Sequence, residues 1–202
     1  MRSFEIGIVL PIMQYGPDRA TTRWPDLRAM AVRAEEIGFD TIWTPDELLW
    51  RMEDGPPRCV WEGISMAGAV AAVTSRTKVG TWVMSALHRN PDIIAKAAET
   101  LDEISGGRFV FGLGAGHEWP GQAHAFGLPE DRIFARFEEA LQVIIPLLRG
   151  LPPRGDLRLA GGHRRRLPLL PRCRFHPARD HVQPGDDGGP RVAGGGAQRS
   201  GR

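Results

Sequence analysis

The sequence predicts an α/β protein built around a parallel sheet, and two observations lead to this fold class. Over the first 150 residues, short apolar runs alternate with amphipathic helical patterns at intervals of about 30–40 residues, as right-handed βαβ units do. The runs are apolar almost throughout, which is typical of strands covered on both faces. About four such units fit before Gly150. Two architectures satisfy this pattern: a doubly wound sheet, or half of a (β/α)8 barrel of the TIM-barrel type.

The first two strands are predicted over residues 4–10 and 39–44, with a helix between them. That helix begins near Trp24, has Pro25 in its first turn and ends at Gly38. We expect its buried face to carry Leu27, Met30, Ala34 and Ile37. The second strand ends in a polar exit, Pro45-Asp46-Glu47, and an Ala-rich helix follows over residues 61–73.

The next two units repeat this arrangement. A third strand is predicted over residues 79–84 and a helix over residues 91–104, which Ser105-Gly106-Gly107 ends. The stripe of this helix is Ile94, Ala97, Leu101 and Ile104. The fourth strand is residues 109–111, and a last helix covers residues 131–149, with Ile133, Phe137, Leu141, Ile144 and Leu148 on one face.

The fourth strand runs into the most unusual stretch of the chain, RFVFGLGAGHEWPGQAHAFG, from Arg108 to Gly127. Glycines at 112, 114 and 116 allow a ligand to approach the backbone closely at the C-terminal mouth of a parallel sheet. A glycine-rich strand-to-helix turn without a ligand explains the pattern equally well. A dinucleotide fingerprint is excluded, because the G-x-G-x-G spacing is not G-x-G-x-x-G and the first strand ends in Leu10-Pro11.

The cysteines and the apolar segments bear on whether the protein has disulfides, membrane spans or a metal site. Cys59 and Cys173 lie far apart in no metal or redox spacing, so we expect a reduced, cytoplasmic protein. No apolar run is long enough to cross a bilayer. Cys173, His176 and His181 lack a further ligand pair, so no metal site is expected.

Residues 151–202 differ from the rest in composition. They hold 11 Arg, ten Gly and seven Pro, and their net charge is +7 against −5 for residues 1–150. Such a segment buries too little apolar surface to offset its chain entropy, so we predict a disordered tail. It is a basic arm for nucleic acid, a linker, or the product of a shifted reading frame. We adopt the frameshift, because the chain has 24 Arg against two Lys and the composition changes abruptly after a helix.

Residues 4–150 resemble the luciferase-like monooxygenase superfamily, and in particular its flavin- or deazaflavin (F420)-dependent oxidoreductases. The resemblance is carried by RAEEIGFDTIWTPDELLWR, LHRNPDIIAKAAETLDEISGGRFVFGLGAGHEWPGQAHAFG and RFEEALQVIIPLLRG. It implies a (β/α)8 barrel, of which this chain would supply the N-terminal half only. It further implies FMN or F420 as cofactor, hydride transfer to or from a small organic substrate or O2 activation, and a homo-oligomer.

The resemblance also assigns site residues at the strand exits. Asp46 and Glu47 match the second exit, where many F420 relatives have His in place of Glu47. Glu47 is therefore either an acid or base in its own right, or a loop carboxylate that pairs with Arg51. At the third exit, Trp82-Val83 is the candidate for a non-proline cis peptide behind the cofactor ring, and Ser85 for a hydrogen bond to the ring's polar edge.

The fourth exit contributes Gly114, Gly116 and His117 to the same pocket by resemblance. An imidazole changes charge near neutral pH, so His117 is a candidate for proton transfer or for binding an anionic group. Trp43, Trp50 and Trp119 are either aromatic walls of the pocket or core residues.

Three functions follow from these observations. The first is the oxidoreductase that the resemblance implies. The second is a non-catalytic half-barrel or partner subunit, because a barrel takes about 250 residues and four units leave two open sheet edges. The third is nucleic-acid binding through the tail, which the lack of interleaved aromatic residues disfavours.

Overall fold

The computed structural model describes residues 4–14, 20–50, 56, 58–116 and 122–150. The helices are α1 Trp24–Ile37, α2 Gly63–Val73, α3 Pro91–Ser105, α4 Gln122–Phe126 and α5 Ile133–Leu148. The strands are β1 Gly7–Val9, β2 Thr41–Thr44, β3 Leu49–Trp50, β4 Arg58–Cys59, β5 Lys78–Thr81, β6 Met84–Ser85, β7 Phe109–Val110 and β8 Leu113–Gly114. The predicted tail, residues 151–202, lies outside the described residues.

Four strands form a parallel sheet in the order β1-β2-β5-β7. One row of side chains across it, Ile8, Ile42, Val79 and Phe109, packs with apolar residues of α1, α2 and α3. On the opposite face, the indole of Trp43 lies where side chains on Gly7 and Gly80 would otherwise project. The three helices therefore share one face of the sheet, as in a (β/α)8 barrel. A doubly wound sheet would place helices on both faces.

The third strand is interrupted, which corrects the continuous strand predicted over residues 79–84. The peptide bond between Trp82 and Val83 is cis, as the resemblance implied, and it separates β5 from β6. Both sides of the interruption bind the same carbonyl: the Thr81 hydroxyl and the Met84 N–H each donate to the Gly112 oxygen at 2.8 Å. Beyond it, β6 and β8 continue as a parallel pair with Ser85 opposite Gly114.

The helix ends were predicted well and the helix faces less well. Gly38 and Gly106 end α1 and α3 in the left-handed conformation, with φ of 89° and 64°. The expected burial of Met30, Ile37 and Ile104 is wrong, because all three are exposed. Ala34 is buried as expected, and three further small residues lie on the buried faces, where they let each helix approach its neighbours closely: Ala31 in α1, and Ala95 and Ala98 in α3.

Two elements near the strand exits were not predicted. A short antiparallel pair, β3 with β4, follows the second exit, and the five-residue helix α4 follows the fourth. Within the described part of the chain, no helix is both long and apolar enough to span a membrane.

Candidate functional site

A pocket of about 400 Å³ lies at the carboxyl ends of the parallel strands. This volume falls in the range of small-molecule sites. Its lining comes from three strand exits and the N-terminal loop: Met13, Pro45, Asp46, Glu47, Trp50, Trp82, Val83, Ser85, His88, Gly114, Ala115 and Gly116. One part of the wall is aromatic and aliphatic, and the rest carries two carboxylates, a hydroxyl and an imidazole. Such a pocket can accept a flat ring system with polar edges.

A buried ion pair lies under this pocket. The Asp46 carboxylate has no exposed surface, and both of its oxygens accept from the Arg89 guanidinium, at 2.7 and 2.8 Å. One oxygen also accepts the Ser85 N–H at 2.9 Å, which ties the second strand exit to the third. Burial alone would raise the pKa of Asp46, but the nearby His88 and Arg89 side chains and the Ser85 N–H lower it overall. Asp46 is thus an ionised group that holds the wall together.

Arg89 extends this pair to the start of α2. It also bonds to Glu62, whose carboxylate caps α2 by accepting the N–H groups of Ile64 and Ser65. Burial alone would lower the pKa of Arg89, but the two carboxylates raise it overall. One guanidinium therefore joins two strand exits and the N-terminus of a helix.

The site residues predicted from the sequence fall into three groups. Glu47, Trp82, Val83, Ser85, Gly114 and Gly116 line the pocket together. Asp46 also reaches it, but the described contacts of its carboxylate are internal ones. His117 lies outside the described residues, as do Arg51 and Trp119. Trp50 is a pocket wall, whereas Trp43 packs on the sheet.

Sequence reasoning missed four polar residues that build the wall: Glu62, His88, Arg89 and Gln122. His88 and Arg89 belong to the H-R-N-P run that begins the third helix. The position of this run directly after a predicted strand exit was the available signal for them. Gln122 gave no local signal, because it bonds to residues up to 74 positions away, and the ion pair of Glu62 with Arg89 spans 27 positions.

The lining of the pocket fits a flavin or deazaflavin ring, because it joins an apolar surface to polar side chains. Trp82 and Val83 line the pocket and are exposed although both are apolar, so they offer an apolar surface to a ligand. Gly114 keeps this surface open, since a Cβ there would approach Val83 Cγ2 to 2.7 Å. Among the residues described, no three His, Cys, Asp or Glu side chains converge as metal ligands would.

Comparison with known proteins places this geometry in a family. The family model for luciferase-like monooxygenases matches residues 4–197. The F420-dependent glucose-6-phosphate dehydrogenase of Amycolatopsis mediterranei is 34% identical over 152 residues, which cover 69% of this chain and 40% of that protein. The chain thus spans about 40% of the length of the curated relatives it matches.

Two solved structures share the fold. An F420-dependent secondary alcohol dehydrogenase in complex with an F420-acetone adduct is 26% identical, with a TM-score of 0.56 over 71% of this chain and 41% of that one. The oxygenating constituent of 3,6-diketocamphane monooxygenase from Pseudomonas putida, in complex with FMN, is 20% identical and has a TM-score of 0.54 over 71% and 38%. This second likeness concerns the fold alone. The chain belongs to the luciferase-like monooxygenase family, whose relatives named here are oxidoreductases.

Proposed function

We propose that the chain forms the cofactor-binding part of an F420- or FMN-dependent oxidoreductase that moves a hydride to or from a small organic substrate. The observation that carries the proposal is the pocket, which combines an exposed Trp82–Val83 surface with polar side chains from two strand exits and glycines from a third. F420 is the first candidate, because the matched dehydrogenase of 34% identity and the solved structure of 26% identity are both F420-dependent by name.

The bound cofactor would supply a two-electron hydride donor or acceptor. Trp82, Val83 and Gly114 would hold its ring, because their apolar surfaces meet on one side of the pocket. The hydroxyl of Ser85 would bond to a polar edge of that ring. Its backbone N–H is already committed to Asp46, so the residue is held in place.

Glu47 is the proposed acid or base for the substrate. It lies directly after the buried Asp46 and lines the same pocket. A carboxylate is suited to accept or return the proton when a substrate hydroxyl becomes a carbonyl or is re-formed. His117 is the second proposed proton carrier, on the evidence of sequence resemblance. A small alcohol or sugar derivative is the substrate class that this chemistry suits.

Ligand titration of the purified 202-residue chain tests the cofactor proposal. Oxidised F420 and FMN are added in separate series, and the fluorescence of each is followed as the protein concentration rises. We expect saturable binding, with F420 the tighter ligand. The variant Gly114→Leu should abolish binding, because its side chain would fill the space beside Val83. The control Gly68→Ala should bind normally, since a Cβ there meets only Leu101 at an ordinary 3.7 Å.

Turnover separates an enzyme from a binding module. A panel of small alcohols and sugar phosphates is added with oxidised F420, and loss of its visible absorbance reports hydride transfer. Binding without turnover by any panel member favours the non-catalytic half-barrel or partner subunit. A folded chain that binds neither cofactor overturns the proposal for this chain.

The shifted reading frame after Gly150 stays a prediction. The family match extends to residue 197 and so includes most of the segment in question. Resequencing the gene across codons 140–202 and translating all frames tests it. A continuation with further strand–helix units in another frame supports the frameshift, and the lack of one contradicts it. Oligomeric state and nucleic-acid binding likewise stay predictions.

A further inference from the structure

A buried pair of side chains, His88 and Gln122, lies beside the pocket and has no part in the chemistry proposed above. His88 follows β6, and only 3% of its side chain is exposed. Gln122 begins α4 and is 2% exposed. The Nε2 atom of the Gln122 amide lies 3.2 Å from the Nε2 atom of the His88 imidazole, within hydrogen-bond distance.

The orientation of the Gln122 amide is fixed by the backbone that follows the second strand exit. Its Oε1 accepts the N–H of Leu48 at 3.0 Å and that of Leu49 at 2.9 Å. Only the carbonyl end of an amide accepts hydrogen bonds, so the NH₂ end faces His88. That NH₂ group can only donate. The His88 Nε2 atom must therefore be the acceptor and carry a lone pair.

The surroundings of Nδ1, on the opposite side of the imidazole, also favour a proton on Nδ1 and a lone pair on Nε2. His88 Nδ1 lies 3.6 Å from Asp46 Oδ2 and has no hydrogen-bond partner among the described residues. Asp46 is ionised and paired with Arg89, behind which lies Glu62. A lone pair on Nδ1 would face a carboxylate and be repelled, whereas an Nδ1–H is attracted to it. Gln122 on one side of the ring and Asp46 on the other thus favour the same tautomer of His88.

We propose that Gln122 is a positioning residue that fixes His88 in its uncharged Nδ1–H form. A second proton on Nε2 would oppose the NH₂ of Gln122, and turning the amide over would deprive Leu48 and Leu49 of their acceptor. The pair also joins the exits after β2 and β6 to α4, which follows β8. The pocket wall at His88 then presents a fixed, neutral ring. Its use in hydride transfer rests on the proposed function, but the tautomer does not.

Nitrogen NMR of the full chain tests this assignment. With ¹⁵N-labelled histidine, a protonated nitrogen and a lone-pair nitrogen of a neutral ring give separate resonances. The chain has six histidines, and the variant His88→Asn identifies the His88 signals by their loss. We expect the unaltered protein to show a protonated Nδ1 and a lone-pair Nε2 at His88. A histidine side chain exposed to water favours the opposite, Nε2–H tautomer, so the expected pattern is distinctive.

The variant Gln122→Glu adds a second arm. A carboxylate keeps both acceptor bonds to Leu48 and Leu49 but presents an acceptor to His88, so Nε2 should become protonated and its resonance should shift accordingly. Gln142→Glu is the matched control, because it adds the same charge on an exposed position of α5 and should leave the His88 pattern unchanged.

Two results would overturn the proposal: a protonated Nε2 at His88 in the unaltered chain, or an unchanged pattern in Gln122→Glu. If Gln122→Glu does not fold, the spectrum of the unaltered chain decides alone. The expected tautomer in a chain that binds neither F420 nor FMN would support the assignment and overturn the proposed function. The two failures are therefore distinguishable.

Discussion

Arg89 is the residue on which the buried charge at the strand exits depends. It neutralises the fully buried Asp46 carboxylate and also binds Glu62. Removing one partner of a buried pair leaves the other charged and unpaired, which costs about 3–5 kcal/mol. We expect Arg89→Met to lower the free energy of unfolding by about 3 kcal/mol in urea denaturation.

The control for this prediction is Arg33→Met. Arg33 pairs with Glu36 on the exposed side of α1, where 69% of its side chain is accessible. Exposed pairs contribute about 0–1 kcal/mol, so this variant should stay within about 1 kcal/mol of the unaltered protein. Equal losses in the two variants would contradict the assigned role of Arg89.

Gly116 occupies a position where both the backbone conformation and the surrounding space favour glycine. Its φ is +99°, and a Cβ on it would lie 2.7 Å from Ser85 Oγ and 2.8 Å from Leu87 Cδ1. Gly107 has a similar φ of +81°, but a Cβ there would meet nothing within 4 Å. We expect Gly107→Ala to cost about 1–2 kcal/mol through the backbone alone.

Gly116→Ala should cost at least about 1 kcal/mol more than Gly107→Ala, because Ser85 and Leu87 must also move. Urea unfolding of the two variants measures the difference. Ser85 lines the pocket, so Gly116→Ala should also weaken cofactor binding, and Gly107→Ala should not. Equal unfolding free energies would show that the space around Gly116 is not tight.

At the scale of elements, Glu35 in α1 accepts hydrogen bonds from the turn before β5. Its Oε1 accepts the N–H groups of Arg76, Ser75 and Thr77 at 2.6, 2.8 and 3.0 Å. Burial alone would raise the pKa of Glu35, but these donors together lower it from 4.5 to about 2. The folded pKa is therefore the lower one. The stabilisation is complete above about pH 4.5 and is lost as the pH falls toward 2.

Glu35→Gln should accordingly be less stable than the unaltered protein at pH 7, and the difference should shrink as the pH falls from about 4.5 to 2. Unfolding free energies measured across that range test this. Glu36→Gln is the control, because its described ion pair is the exposed one with Arg33, and it should have the smaller effect at pH 7. A difference at Glu35 that does not change with pH would contradict the prediction.

The elements also indicate how far the sequence alone leads. Gly38 and Gly106 could be recognised as helix ends, because few other residues adopt a positive φ at low cost. Asp46, Ser85 and Gly114 could be predicted to meet, because parallel strands bring their carboxyl ends to one edge. The predicted helix faces were wrong at Met30, Ile37 and Ile104, because apolar spacing alone does not show where only an alanine fits between closely packed elements.

Long-range pairing explains the rest of what the sequence did not predict. Arg89 bonds to residues 43 and 27 positions away, and Gln122 to residues 74 and 73 positions away. No local pattern records such partners. The motif that contains Arg89 therefore indicates no partner for it, and the glycine-rich stretch that contains Gln122 indicates none either.

At the scale of the whole molecule, the described sheet has β1 and β7 at its ends. The pocket lies at the strand exits of this sheet, and its wall is joined both by the backbone pair β6–β8 and by hydrogen bonds from backbone to side chains. Leu48, Leu49 and Ser85 all donate their N–H groups to side-chain oxygens of Gln122 and Asp46.

These three donors give the wall a reporter that needs neither ligand nor activity. Their amide hydrogens should exchange slowly with deuterium, although their acceptors are side chains. If Gln122 and Asp46 hold one continuous wall, the three amide hydrogens should exchange at similar rates. Gln122→Leu should speed exchange at Leu48 and Leu49 more than at Ser85. Exchange at the speed of an open loop in the unaltered protein would mean that the wall spends much of its time apart, and that a ligand entering the pocket must first assemble it.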